Sequence, residues 1–170
     1  MSGAHITVTV EAEQARALIG GWIATGRDPA PILRAVGARL VSNTQDRFDE
    51  EVDPDGAPWE PLTTAWAALK KGPGILRESG MRGGLQGSIT FDVAGGELAV
   101  GSNKIYAAVH QFGAVIRAKR SPFLVFRTPD GQVFGRAEEV TIPARPYLGL
   151  SSRDQEDILD AVEFFLMRRP

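Results

Sequence analysis

Residues 88–101 read SITFDVAGGELAVG. On both sides of Gly95-Gly96, β-branched and aromatic side chains alternate with polar or small ones. A Gly-Gly pair between two such runs marks a tight antiparallel hairpin, which predicts strands over 88–93 and 98–101. Upstream the period changes from two to that of a helix. Ile32, Leu33, Val36, Leu40 and Phe48 share one face of a helix that starts at the Asp28-Pro29 cap. Pro31 sits in its first turn. Downstream the helical period returns: Ile158, Val162, Phe165 and Leu166 form one apolar stripe. Ser152 and Gln155 have the spacing of a capping box, and Arg168 and Arg169 suit the last turn. Helices flanking a local hairpin, without β–α alternation, predict an α+β fold. The expected architecture is a small, mainly antiparallel sheet packed by helices, with an extended β-hairpin arm and a C-terminal helix.

The remaining segments fit around that frame. HITVTV at 5–10 reads as a short strand. The helix after it places Ala15, Leu18, Ile19, Trp22 and Ile23 on one stripe and ends at Gly26. Three prolines and a glycine break 49–62, DEEVDPDGAPWEPL. A short helix is expected over 63–71, an irregular glycine-rich passage over 75–87, and one or two helical turns over 104–112, closed by Gly113. Residues 123–141 read as a second hairpin with Asp130-Gly131 at its tip. IPARPYLGL at 142–150 must be extended or turning. One domain over 1–170 is expected, with an acidic loop at 49–62 and a hairpin arm at 114–141 as insertions.

Composition narrows the function. The 170 residues carry 19 Lys+Arg against 21 Asp+Glu, a net charge of −2, far from the strongly basic balance of many dedicated nucleic-acid binders. Hydrophobic residues at 43% support a sizeable core. With no cysteine, disulfide scaffolds, thiolate metal sites and cysteine nucleophiles are excluded. No basic segment followed by an apolar run opens the sequence, and no apolar stretch approaches about 18 residues, so a soluble intracellular product is expected.

The charge is unevenly placed. Seven carboxylates between Asp46 and Glu60 face Arg47 alone, a local net of −6. Glu51-x-Asp53-x-Asp55-Gly56 there resembles the start of a calcium loop, yet Leu62 stands where a bidentate Glu is required, so solvated carboxylates on a turn are expected and no metal. From Lys104 to Arg136, six cations (Lys104, Arg117, Lys119, Arg120, Arg127 and Arg136) face Asp130 alone, a local net of +5. Interleaved with Phe123 and Phe126, such a strip suits nucleic-acid phosphates, a channel surface, or a solubilised hairpin. A separated acidic loop and basic arm also suit head-to-tail association of identical copies. Hydrolytic chemistry has little to work with. Of the two histidines, His5 is near the terminus and His110 has apolar neighbours, and no nucleophile elbow, metalloprotease or phosphate-loop motif occurs.

Four segments, in order, carry a resemblance: Pro54-Asp55-Gly56-x-Pro58-Trp59-x-Pro61-Leu62 after Phe48; Ile75-Leu76 with Ser79-Gly80; Tyr106-Ala107 with His110-Gln111-Phe112-Gly113; and Ile142-Pro143-Ala144-Arg145-Pro146-Tyr147-Leu148-Gly149-Leu150. Over roughly 30–168 the chain resembles the phage virion morphogenesis family, the tail-completion proteins of Mu-like and related contractile-tailed phages. Met81-Arg82-Gly83-Gly84-Leu85 departs from the family's shorter passage. The resemblance implies a non-enzymatic virion protein without cofactors. It would form a ring, a hexamer or a multiple, at the neck or tail end of the virion, completing the tail and leaving a channel for double-stranded DNA. Implied partners are further copies, head-connector or neck proteins, and tail terminator, tube or sheath proteins; no membrane is involved.

On that reading Asp53, Asp55, Gly56, Trp59, Arg117, Phe123, Arg145, Pro146 and Tyr147 are candidates for a subunit or partner interface. Lys119, Arg120 and Arg127 are candidates to face DNA. Trp59 either anchors a partner or folds back onto its own domain, and Arg145 either bridges subunits or clamps the acidic loop within the chain. The alternative function is a DNA-binding accessory factor of virion assembly using Lys119, Arg120 and Arg127, and a third is a tail-associated hydrolase using His110.

Overall fold

The computed structural model describes residues 17, 19–21, 28–70, 72–78, 84–127 and 131–167, with side chains as far as 165. The expected strand at 5–10, most of the helix after it, the Ser79-Gly80 and Met81-Arg82-Gly83 segments, Asp130 and the terminal Arg168-Arg169 pair lie outside these residues.

Helix α1, Ala30–Glu50, is the centre of the fold. The Asp28 Oδ1 accepts the Ala30 N–H at 2.9 Å, and Pro31 stands among the first-turn positions that need no intrahelical N–H. One face is buried along its length. Ile32, Leu33, Val36 and Leu40 form its apolar part, and Asn43, Thr44, Arg47 and Phe48 continue it. At the far end Glu51 takes a left-handed conformation, φ 59°, and its N–H reaches the Arg47 carbonyl. Two layers cover the buried face. On one side lies the hairpin of β1, Ile89–Ala94, and β2, Glu97–Ser102; on the other lies the C-terminal helix α4, Ser152–Met167. Gly95 and Gly96 both hold positive φ in the tight turn of that hairpin, as its sequence demands. Val36, Leu40, Phe48, Ile89, Val100, Ile158 and Val162 belong to one continuous core.

Two short helices flank this core: α2, Thr64–Leu69, capped by the Thr63 hydroxyl, and α3, Ala107–Phe112. The arm differs from the simple hairpin expected over 123–141. Strand β4, Leu124–Arg127, pairs with β5, Val133–Ala137, but the chain bends at Glu138. The following strand β6, Glu139–Ile142, runs back along β3, Ala114–Arg117. The arm is therefore two antiparallel ladders in series, a β3–β6 base and a β4–β5 tip. Among the described residues the strands form three two-stranded antiparallel ladders, and the fold is α+β.

The C-terminal helix also starts one residue away from the expected box. Ser151 Oγ accepts the Asp154 N–H at 3.1 Å, while Asp154 Oδ2 accepts the Ser151 N–H at 2.7 Å. The reciprocal cap is Ser151–Asp154 instead of Ser152–Gln155, because Asp154 is buried and its carboxylate is held at this spot.

Candidate functional site

Two of the quoted segments, the one after Phe48 and the one ending in Gly113, converge on residues 142–150, which cross the molecule as a strap. Gln111 on α3 fastens its middle. The side-chain oxygen accepts the N–H groups of Tyr147 and Leu148, both at 3.0 Å, and the amide nitrogen donates to the Leu148 carbonyl at 2.8 Å. Nearby, the Arg145 N–H donates to the His110 carbonyl at 2.7 Å. Gly113 ends α3 with φ 72°, and a Cβ there would lie 2.9 Å from both the Ala144 nitrogen and the Ile142 oxygen. His-Gln-Phe-Gly is thus a docking cleat for the strap: glutamine for its polar edge, glycine for close approach.

The loop after α1 holds the strap from the other side. Asp53 Oδ1 accepts the N–H groups of Asp55 and Ala57 at 2.9 and 2.8 Å, and Gly56, at φ 82°, donates to the Asp53 carbonyl at 3.0 Å. This closed turn brings Trp59 inward, where its N–H meets the Glu51 carbonyl at 2.8 Å. The indole packs edge-on against Phe48, with centroids 5.4 Å apart, and its Nε1 donates to the Pro146 carbonyl at 2.8 Å. Tyr147 is fully buried against Phe48, with centroids 5.1 Å apart, and burial pushes its phenol up to about 12. The Arg145 Nε donates to the Glu60 carbonyl at 2.8 Å and Nη2 to the Pro61 carbonyl at 3.4 Å.

These positions settle where the side chains are. Trp59, Arg145 and Tyr147 are covered by their own chain, so a partner-facing Trp59 gives way to the fold-back reading. Arg145 clamps the end of the acidic loop through carbonyls, not carboxylates. Asp53 is occupied by its own turn. Asp55, Gly56, Arg117, Phe123, Lys119, Arg120 and Arg127 remain exposed.

Beneath the strap lies a polar cluster that local reading missed. Arg47 Nη1 donates to the carbonyls of Tyr147 at 3.0 Å and Gly149 at 3.1 Å, and Nη2 pairs with the fully buried Asp154. Asn43 Nδ2 donates to Asp154 at 2.8 Å and Asp157 at 2.7 Å. In the sequence Arg47 counts as a counter-charge of the acidic loop. In the fold it belongs to the strap and α4.

The arm is attached elsewhere. On the β4–β5 ladder, Val125 pairs with Arg136 and Phe126 with Gly135, and the register shifts between Phe126 and Arg127. That irregularity turns Phe134 to the same side as Phe126. Both rings then meet Trp66 of α2 edge-on, at 5.8 and 5.7 Å. The other side stays in solvent and carries Val125, Arg127, Val133 and Arg136. Arg117 and Glu139, register partners at the base, form an exposed ion pair at 2.8 Å.

His110, the histidine among the described residues, gives the hydrolase reading no support. Burial, and then Arg145, lower its pKa, and its buried Nδ1 has no partner among the described residues. Glu78, the acid electrostatically coupled to it, instead accepts the Tyr106 hydroxyl at 2.7 Å. Among the described residues no group of His, Asp and Glu is arranged to hold a metal ion, and no helix is long and apolar enough to cross a membrane.

Two of the quoted segments thus hold the strap, and comparison assigns the chain to a family. Residues 10–166 match the phage virion morphogenesis family. The chain belongs to this family. It is 35% identical over 139 residues to the putative capsid assembly protein G of Escherichia phage Mu, covering 80% of this chain and 78% of that protein. It is 30% identical over 136 residues to the Mu-like prophage FluMu G protein 2 of Haemophilus influenzae, covering 79% and 75%. No solved structure matches the chain. Membership in the virion morphogenesis family makes this a phage assembly protein, and the Gln111–Gly113 cleat and the Trp59 loop act here as internal fastenings.

Proposed function

We propose that this virion morphogenesis protein completes the phage tail at the neck, as a ring of identical copies that admits a filled head and leaves a passage for double-stranded DNA. The observation that carries the reading is the division of labour in the fold. Motif residues are spent on locking the strap, and the arm with its exposed cations projects beyond that locked body. A rigid scaffold presenting a two-ladder arm suits assembly, in which symmetry multiplies one modest contact. The name of one relative, a putative capsid assembly protein, likewise supports an assembly role. On this reading the protein acts without cofactor or catalysis. Its partners are further copies, the head connector and neck proteins, and the tail terminator, tube or sheath.

Native mass measurement of the purified protein, alone and with isolated tails, tests this. A discrete ring, or binding that saturates at one set of copies per tail end, is the expected result. A monomer that ignores tails and retards DNA with a steep salt dependence would overturn it in favour of the accessory factor, acting through Lys119, Arg120 and Arg127.

A further inference from the structure

Head-to-tail association needs two different surfaces on each copy, one to give and one to receive. The arm supplies the first. Along the outer side of β4–β5, Val125 and Val133, 43% and 45% exposed, alternate with Arg127 and Arg136, and Phe123 stands at the entrance to the ladder. Arg127 Nη1 reaches the Gly131 carbonyl at 3.0 Å, which holds the guanidinium without neutralising it. Arg136 has no ion-pair partner among the described residues. The arm thus presents an apolar strip studded with cations that form no ion pair among the described residues.

The acidic loop is the obvious counterpart by composition, but the fold uses much of it internally. Asp49 pairs with Arg77 at 2.9 Å, Glu51 accepts the Ile75 N–H at 2.7 Å, Asp46 lies 3.7 Å from Arg153, and Asp53 closes its own turn. The outer side of α4 is different. Glu156, Leu159, Asp160 and Glu163 follow one another at three-, one- and three-residue steps, so they share one stripe of the helix. All four are exposed. None of the three carboxylates has an ion-pair partner among the described residues, and no cation interrupts the stripe. It is an apolar position framed by negative charge, the inverse of the arm.

We infer that the arm of one copy docks through its Val125–Arg127–Val133–Arg136 side on the Glu156–Glu163 stripe of α4 of the next copy. This inference rests on the ring reading above and names its contact. Like-charge meeting of arm with arm, or α4 with α4, is repulsive, so the charges also select the head-to-tail direction.

Two variants test it, because each residue changed is exposed and makes no fastening of the scaffold. Arg136→Glu reverses the arm, and Glu156→Arg with Asp160→Arg reverses the helix. Wild type, each variant and an equal mixture are weighed by native mass across a concentration series, with and without tails. Each variant alone is expected to assemble at least about tenfold more weakly than wild type. The mixture should recover assembly, with the two variants alternating, since each then meets only its complement. Variants that assemble as wild type does would overturn this contact and leave the ring standing. A wild type that forms no oligomer, alone or on tails, would overturn the ring reading itself.

Discussion

Gln111 satisfies three backbone groups with one side chain, so its removal leaves two strap N–H groups and a carbonyl buried and unpaired. Gln111→Ala should cost about 2–4 kcal/mol, read by urea denaturation, since each orphaned buried group costs roughly 1–3 and some relax toward water. A loss under about 1 kcal/mol would mean the strap is held chiefly by packing. His110, its neighbour, bears on pH dependence. Burial, and then the Arg145 guanidinium, lower its pKa in the folded chain, with Glu78 opposing them. The unfolded chain therefore takes up the proton first, near the ordinary value of about 6.5. Stability from this residue is full above that pH and falls as the pH drops toward the lower folded value. His110→Phe should flatten the urea midpoint between about pH 7 and pH 5, and an unchanged slope would remove His110 as its source. The sequence shows both residues in one motif yet gives neither role. Gln111 acts on backbone 36 and 37 residues away, and a glutamine has no periodicity that marks it as buried.

The β1–β2 hairpin approaches α1 closely because Gly37 carries no side chain. A Cβ there would lie 2.6 Å from the Phe91 ring and 2.9 Å from a Leu98 methyl. Gly37→Ala is therefore expected to destabilise by about 1–3 kcal/mol through overpacking, although alanine is the better helix former. Pairing it with Phe91→Leu should recover part of the loss. A Gly37→Ala chain more stable than wild type would show that the hairpin can shift freely. Elements defined by local chemistry are legible in the sequence: the Gly-Gly hairpin, the striped helices α1 and α4 and the short helix α2 appear near the expected places. The β3–β6 pair is not. Ala-Val-Ile-Arg at 114–117 lacks alternation, and its partner lies beyond an entire hairpin, so only the closed arm reveals it. The same limit hides the Phe134 turn toward Trp66, which depends on a register irregularity with no signature in the one-dimensional pattern.

At the scale of the molecule, Arg47 is the residue through which distant parts meet. One guanidinium joins α1 to two strap carbonyls and to the buried Asp154 at the start of α4, a carboxylate that Asn43 and the Ser151 cap also share. Such a pair is not intrinsically a large stabiliser, because both charges lose hydration; its removal is costly because it strands the other partner. Arg47→Met should therefore destabilise by about 3–5 kcal/mol in urea denaturation. Arg47→Lys should recover little, since an ammonium cannot span the fork between the strap and Asp154. Hydrogen exchange separates a hub from a local brace. If Arg47 joins the three parts, its loss should raise exchange together at the Tyr147 and Leu148 amides, the first turns of α4 and the last turn of α1. Faster exchange confined to α4, with the strap amides still protected by Gln111, would reduce Arg47 to a helix cap. The coupled outcome also bears on assembly. A strap that loosens with α4 would move the carboxylate stripe of that helix relative to the arm, so Arg47→Met should weaken oligomers even though its side chain is buried.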